Sequence, residues 1–441
     1  MKLRRGTATF WALLLLGVVS AVLVLVCDAG LVWNAQAELR TAADAAALAA
    51  AHGWAAQLTP EGLRGDEILS AVEQEVNRCL VQTGRDLSTT FVPNPDNEPT
   101  GDLVLGFYEL THGFVPARKQ DLDSPWLNAV RITLRRDKKR GNAPGLLFGP
   151  LFGWTSAEVQ ASAVAVLERH VVGFQCTDGL PVPLIPLAIL SDPTGQTADC
   201  WESQLAAGYR MPSTYDEKGQ RVVTVRIRLP VQSAQASASL TRNGSTGPGR
   251  VDRIEPGNAC VLQLGTHSWA EVIRQTASGV LPMDLVNDEF AGRFEIDPDV
   301  GFRPVAAWPA VPSLQGQELA NLLAALSGLT ERKEVRIWPL FTAFLPNSTT
   351  RFSVSIGSDP PLQVAVNGFI AARILRSQLI SSNGRESTGS YLELTLQPRV
   401  LITRTAITAT PKRSQEDTDE AVQNPYLSQP NPYLVRIKLV E

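Results

Sequence analysis

The feature that most constrains this chain is an uncharged, mostly apolar run, TATFWALLLLGVVSAVLVLVC, from Thr7 to Cys27. As a helix, this run is long enough to cross a hydrocarbon core of about 30 Å. Lys2, Arg4 and Arg5 precede the run, and Asp28 is the first ionised residue after it. Because positive residues mark the cytoplasmic side of a span, we predict a single-pass membrane protein with a cytoplasmic N-terminus and the rest of the chain outside.

A cleaved signal peptide is the alternative to a retained anchor. Ala35-Gln36-Ala37 matches the small-residue pattern of a cleavage site, and cleavage there would leave Glu38 as the mature N-terminus of a secreted surface protein or adhesin. The site lies well beyond the end of the apolar run, however, and the run exceeds the usual length of a signal-peptide core. The sequence therefore favours retention.

An alanine-rich stretch follows the run, LRTAADAAALAAAHGW from Leu39 to Trp54. Its residues are strong helix formers, so we predict one helix from about Thr7 to Ala51. The alanines form two stripes at a spacing of four, Ala42, Ala46 and Ala50, and Ala43, Ala47 and Ala51. Small residues at this spacing allow a neighbouring element to approach closely. That neighbour is either the chain's own domain, which we favour, or a helix of a second protein.

The order RRG, apolar span, CDAGLVWNAQAELRTAADAAALAAA resembles the N-terminal region of the TadE/TadG-like family of Flp pilus assembly, part of the tight-adherence (Tad) system. In that family a span ends in an aspartate-x-glycine element, which Asp28 and Gly30 match, and Arg40 stands where glutamine is usual. An AADAAALA signature follows, matched here by Leu39, Ala42, Ala43, Asp44, Ala45, Ala46, Ala47 and Leu48. NAVRITLRR and the segment from Leu147 to Val166 look like a paired-strand region of longer TadG-like proteins, which extends the resemblance over about the first 170 residues.

The pattern downstream predicts an α+β fold with many strands and few helices. We divide the chain into a transmembrane anchor with its alanine-rich helix (1–58), an α+β TadG-like module (59–172), a strand-rich extracytoplasmic region (173–410), and a charged, proline-rich linker with a C-terminal strand (411–441). In the second part we expect a helix over Glu61–Val81 and strands over Asp102–Leu110, Leu127–Arg135 and Glu158–Val172. The middle strand alternates apolar and polar residues, which is typical of a sheet with one buried face.

Three features of the later chain carry specific predictions. The run GLPVPLIPLAIL should form an edge strand or a domain join, because each proline removes a donor from the sheet ladder. Ser268 is placed to cap a helix that ends near Ala277. The final strand, Leu434–Val440, should fold back onto the chain's own sheet in preference to pairing with a partner.

The five cysteines include no CxxC pair, so a zinc site is not predicted. One or two disulfides remain open outside the apolar run, and Cys176 and Cys200 are the closest pair in sequence. The alternative is a set of inert buried thiols.

Catalytic motifs are absent from the sequence: there is no HExxH, no GxSxG, no phosphate loop and no dinucleotide fingerprint. His267 in GTHSW stands beside Ser268, whose capping role is the ordinary explanation of that stretch. Asp86-Leu87-Ser88 approximates a metal-binding loop, but Asp86 fits a turn better. We expect no enzyme, no metal, no cofactor and no small-molecule substrate, and the net charge of -4 argues against nucleic acid as a partner.

These observations predict a cell-envelope component of a Tad/Flp-type pilus assembly or secretion system. It would be anchored in the bacterial inner membrane with its bulk in the periplasm, and it would act by binding other pilus assembly or envelope proteins. An envelope hydrolase is a less favoured alternative.

Overall fold

The computed structural model describes residues 5–58, 65–82, 91–177, 179–194, 197, 199–211, 214–215, 221–231, 257–265, 268–286, 290–308, 316–345, 362–380, 391–409 and 425–440. The chain divides into two compact units. The N-terminal unit comprises the residues up to Gln57, residues 62–167, and the end of the chain from Ile437. The C-terminal unit comprises the region from Glu168 to Arg436, together with residues 58–61.

The N-terminal unit begins with one continuous helix, α1 (Arg5–Gln57), followed by α2 (Gly65–Gln82). The prediction of a single helix through the apolar run and the alanine-rich stretch is confirmed, and α1 extends beyond both predicted ends. It passes Gly53 without a break. The Thr59-Pro60 pair that precedes the predicted second helix lies outside the described residues.

The sheet of the N-terminal unit is antiparallel, with strands in the order β2, β1, β3, β4. These strands are β1 (Leu103–Glu109), β2 (Gly113–Pro116), β3 (Ala129–Arg136) and β4 (Val159–Glu168). The alternation predicted for β3 is confirmed in part: Val130, Ile132 and Leu134 are buried and Arg131 and Arg135 are half-buried, but Thr133 on the polar face is buried as well. α1 packs against α2 and β3, so α1 lies between α2 and the apolar face of the sheet.

The C-terminal unit contains the remaining elements and is rich in strands. Its helices are α3 (Trp201–Arg210), α4 (Trp269–Ser278), α5 (Gly316–Glu331) and the short α6 (Pro425–Ser428). Its strands are β5 (Val171–Gln175), β6 (Leu187–Leu190), β7 (Thr214–Tyr215), β8 (Arg221–Val222), β9 (Val225–Pro230), β10 (Ala259–Leu262), β11 (Arg293–Glu295), β12 (Arg303–Trp308), β13 (Val335–Leu345), β14 (Leu362–Ile380), β15 (Tyr391–Pro398), β16 (Leu401–Ile402), β17 (Ala406–Thr408) and β18 (Leu434–Val440). Together with α1 and α2, this composition confirms the α+β fold class.

The main sheet of this unit has seven strands in the order β12, β10, β6, β13, β14, β15, β9, and β12 also pairs with β14. That extra pairing closes a ring of five strands, from which β15 and β9 continue as an extension. α5 packs on β14, and α4 packs on α5. The buried core of the unit includes Trp338, Phe341 and Phe369.

The prediction for the proline-rich run was wrong. β6, at its end, is a central strand that pairs antiparallel with β10 and parallel with β13. Pro181, Pro183 and Pro186 all precede β6, so the strand itself keeps its backbone donors, and the Pro186 carbonyl accepts a hydrogen bond from the Leu262 N–H.

The disulfide considered between Cys176 and Cys200 is not formed in the structure, where both are free thiols. The Cys200 sulfur accepts a hydrogen bond from the Ser203 N–H and thereby caps α3. The Cys176 thiol lies 3.6 Å from the Val280 carbonyl oxygen and donates to it. Each sulfur has its own local role, and no bond joins them.

The C-terminal strand folds back onto the chain's own sheet, as predicted: β18 begins in the C-terminal unit, where it pairs in parallel with β16. Its last residues belong to the N-terminal unit and lie beside β4. Asn431, just before β18, is buried; its amide donates to the Phe369 carbonyl and accepts from Tyr433 and Leu434 N–H groups. The charged stretch before this anchor, residues 410–424, lies outside the described residues.

Candidate functional site

Most of the residues of the alanine signature lie on the buried face of α1. Leu39, Ala43 and Ala47 are fully buried in the N-terminal unit, whereas Asp44, Ala45 and Leu48 lie at the margin of the buried face. The buried positions recur every three or four residues, as expected for one side of a helix. They are Ala35, Leu39, Ala42, Ala43, Ala46, Ala47, Ala50, Ala51, Trp54 and Ala55.

Two elements of the chain itself, α2 and β3, cover these alanines. Facing α1, the apolar side of α2 buries Ile68, Leu69, Val72, Val76 and Leu80. Of the two occupants that the sequence left open, the structure therefore shows the chain's own domain. Small side chains are needed here because larger ones would hold α1 away from its neighbours.

At Gly53, α1 approaches α2 closely. A Cβ added at Gly53 would lie 2.8 Å from the Glu75 Cβ and 3.3 Å from the Ala71 carbonyl oxygen, which is too close without a shift of α2. Gly30 differs, since no described atom comes within 4 Å of an added Cβ there. The glycine of the aspartate-x-glycine element therefore lies on open helix surface.

Two polar contacts join α1 to the adjoining ends of β3 and β4. Arg136, the last residue of β3, forms an ion pair with Glu38 at 3.4 Å, and both side chains are largely buried. The Gln36 amide donates to the Gln160 carbonyl at 2.7 Å. These contacts place the ends of the two strands at the level of residues 36–38 of the helix.

Asp28 makes a second set of contacts, ten residues earlier on α1. Its carboxylate accepts hydrogen bonds from the Leu147 N–H at 2.8 Å and from the Phe148 N–H at 3.2 and 3.3 Å. Ten helical residues correspond to about 15 Å of rise. The segment between β3 and β4 therefore extends along α1 from the level of Glu38 to the level of Asp28.

Before Asp28, α1 stands clear of the domain. Between Phe10 and Val26 its large apolar side chains are exposed, in a helix long and apolar enough to cross a membrane. Trp11 and Trp33 are both exposed, and their separation of 22 residue positions corresponds to about 33 Å along the helix axis. Tryptophans are enriched where a span meets the two membrane surfaces, and this separation fits that arrangement.

The opposite face of the sheet in the N-terminal unit is polar. Arg131 and Arg135 line a shallow depression there with Gln160 and Ser162. Arg135 donates to the Thr100 carbonyl at 2.8 Å, and Arg131 donates to the Pro99 carbonyl. Both guanidinium groups thus hold the preceding loop against the sheet and are already engaged within the unit.

The carboxylate of Asp102 also holds the loop that precedes β1. It accepts from the Val92 N–H at 2.8 Å and forms an ion pair with Arg140 at 2.8 Å. Burial raises the pKa of Asp102, while the Val92 N–H and the Arg140 and Arg135 guanidinium groups act in the opposite direction. This cluster is explained by loop attachment.

The candidates for catalytic or metal chemistry do not converge among the residues described. No group of three or more His, Cys, Asp or Glu side chains there is close enough together to hold a metal ion. His267 and Asp86 lie outside the described residues. Ser268 caps α4 by accepting from the Glu271 N–H, as predicted.

The sequence reasoning missed the partners of Asp28, Glu38 and Gln36. It treated the segment from Leu147 onward as part of a paired-strand region, but the strand begins only at Val159. A short 3-10 turn, Gly149–Phe152, occupies the space before it. The available signal was the uncharged, aromatic composition of GLLFGPLFGW between charged flanks.

Comparison with known proteins supports the resemblance in the N-terminal region. Residues 6–55 match the Tad family model of Flp pilus-assembly TadE/G-like proteins. The matched segment includes the apolar span, Asp28 and the whole buried alanine face. No curated protein and no solved structure matches the chain.

Proposed function

We propose that the chain is a membrane-anchored cell-envelope component of a Tad/Flp-type pilus assembly or secretion system that acts by binding other proteins. The observation that carries this proposal is the match of residues 6–55 to the pilus-assembly family, in a helix that leads from an exposed apolar segment directly into a folded domain. The helix serves as span and as core element at once. The domain is therefore held rigidly at the membrane surface.

The proposed orientation follows from charge. Lys2, Arg4 and Arg5 precede the apolar segment, and the folded domain follows Asp28. By the positive-inside rule the N-terminus is cytoplasmic and the domain is periplasmic, in a single-pass protein of the bacterial inner membrane.

Retention of the anchor is part of the proposal. Ala35 is buried and Gln36 is bonded to Gln160, so cleavage after Ala37 would cut α1 within its contact with the sheet. A retained helix keeps Asp28 and its two hydrogen bonds as well. The alternative, a secreted surface protein or adhesin, requires the domain to lose these contacts.

The role we propose is assembly without a catalytic step. The polar clusters described above, around Asp102 and around Arg131, are engaged in holding loops of the N-terminal unit. Pilus and envelope proteins would instead recognise surfaces that the anchored domain presents at a fixed height above the membrane.

A complementation experiment tests the proposal. In a host with a Tad system, deletion of the gene for this chain should abolish surface Flp pili or secretion by that system, and the full chain should restore them. A matched variant carries a cleavable signal peptide in place of residues 1–27 and delivers the same domain unanchored. We expect it not to restore pili. Normal piliation after deletion would contradict the pilus role, and full rescue by the unanchored domain would contradict the need for an anchor.

A further inference from the structure

The segment Gly145–Trp154, which we call the apolar loop, is unusual for an exposed connection. Its sequence, GLLFGPLFGW, contains no ionisable side chain and six large apolar ones. Charged residues stand on both sides of it, in DKKR at 137–140 and at Glu158. Such loops are ordinarily polar because they run over a wetted surface.

The apolar loop is built by its own backbone hydrogen bonds. Gly145 and Ser156 form an antiparallel bridge, the Leu146 N–H donates to the Thr155 carbonyl at 3.1 Å, and the Trp154 N–H donates to the Gly149 carbonyl at 2.9 Å. A Cβ at Gly149 would lie 2.3 Å from the Trp154 carbonyl oxygen. The loop is thus a closed, tightly packed turn.

This closed loop displays apolar side chains to solvent. Leu147 is 67% exposed and Trp154 is 68% exposed. Large apolar residues exposed on one loop are typical of a surface that binds a partner or a membrane.

The position of the apolar loop indicates what covers its exposed side chains. The carboxylate of Asp28 holds the N–H groups of Leu147 and Phe148, and Asp28 is the first ionised residue after the apolar segment of α1. The loop is therefore fixed at the level where the span ends. Trp33 lies about 140° around the helix from Asp28, about 1.4 turns beyond it, and is 79% exposed.

We propose that the apolar loop is a second membrane-contacting element, in which Leu147 and Trp154 insert into the boundary between headgroups and acyl chains of the outer leaflet. This inference rests on the membrane anchoring in the proposed function. Because the loop has no charge, the ligand is the apolar interface of a phospholipid bilayer and not a particular headgroup. With Trp33 on another side of α1, the domain would touch the membrane at two points around the span and would be restrained from tilting.

A lipid surface fits these observations better than a protein partner does. The exposed apolar surface of the span, from Phe10 to Val26, ends at the level of the apolar loop. A bilayer that covers the span therefore also reaches the loop. Leu147 and Trp154 belong to one loop that Asp28 ties to this level. A protein partner would have to compete with lipid already present there.

Site-specific photo-cross-linking of the full chain in native membranes tests the inference. p-Benzoylphenylalanine would replace Leu147 or Trp154 in cells fed alkyne-tagged fatty acids, and lipid adducts would be detected through the tag. Leu16 in the span is the positive reference. Leu110 is the matched control: it is 73% exposed in the same unit, and it follows the end of β1 remote from the apolar loop.

We expect lipid adducts at positions 16, 147 and 154 and none at position 110. Lipid adducts at 16 without any at 147 and 154 would overturn the inference and leave the anchoring intact, and so would adducts at 147 and 154 with protein alone. Absence of lipid adducts at position 16 would contradict the anchoring itself.

Discussion

The Asp28 carboxylate accepts hydrogen bonds from the backbone N–H groups of Leu147 and Phe148, 119 and 120 residues further along the chain. A single acidic residue at the end of the apolar segment thereby fixes the tip of the connection between β3 and β4. In the family signature Asp28 is an aspartate that follows a span, and here its chemical task is to attach the domain to the helix.

Replacing Asp28 with alanine should loosen the apolar loop. Hydrogen bonds to a charged group contribute about 1.5–3 kcal/mol, so we expect amide exchange at Leu147 and Phe148 to accelerate by about tenfold or more. Hydrogen exchange with mass spectrometry on the detergent-solubilised chain measures this. Asp44→Ala, at the margin of the buried face of α1, is the control and should leave exchange in the loop unchanged. Equal exchange in wild type and Asp28→Ala would show that the loop is held by other contacts.

Leucine at Ala43 and Ala47 should destabilise the N-terminal unit. Both alanines are fully buried, and overpacking of a filled core costs about 1–3 kcal/mol for each site. Denaturant unfolding of the purified chain, compared with Ala37→Leu on the exposed side of α1, measures the loss. If the double variant were as stable as the Ala37→Leu variant, the alanine face would not be packed as described.

Gly53 and Gly30 form a matched pair for testing the contact between α1 and α2. Alanine is favoured over glycine in a helix by about 0.8–1 kcal/mol, so Gly30→Ala should be neutral or stabilising. Gly53→Ala should have the opposite sign, because the new Cβ would meet Glu75. Thermal unfolding of the two variants decides this, and a stabilising Gly53→Ala would contradict the close approach of α2.

Acid should weaken the C-terminal unit through His170. Burial, together with the nearby Arg169 charge, lowers the pKa of His170 to about 4 from an ordinary value of 6.5. A depressed histidine pKa means that the unfolded state binds the proton more tightly. The stability contribution is thus fully present above pH 6.5 and is lost as the pH falls toward 4.

The unfolding temperature of the wild-type chain should therefore decline more steeply between pH 6.5 and pH 4 than that of His170→Gln, after both are normalised to pH 7. Parallel pH profiles for the two proteins would show that His170 titrates at its ordinary pKa. Carboxylates that titrate in the same window affect both proteins equally and cancel in the comparison.

The local patterns of this sequence predict its elements well where a single physical rule dominates. The apolar run and the alanine-rich stretch predict α1, and the alternation around Val130 predicts the buried face of β3. Ser268 predicts the start of α4 through its capping hydroxyl. In each case the determining interaction is between residues close in sequence, or between one residue and solvent.

The remaining features depend on contacts between distant residues. The prediction for the central strand β6 was wrong because Pro181, Pro183 and Pro186 lie before the strand. Proline removes a backbone donor from a sheet only at positions within a strand. The partners of Asp28 lie more than a hundred residues away, so no local pattern identifies them. The aspartate and the alanine signature could be recognised from the sequence, but the surfaces that cover them required the structure.

Intact-mass analysis of the native protein, after alkaline extraction of the membranes, measures directly whether α1 is retained as both anchor and core helix. If α1 is retained, the protein in the extracted membrane pellet still carries the residues before Glu38. A shorter protein beginning at Glu38 and released into the soluble fraction would contradict it.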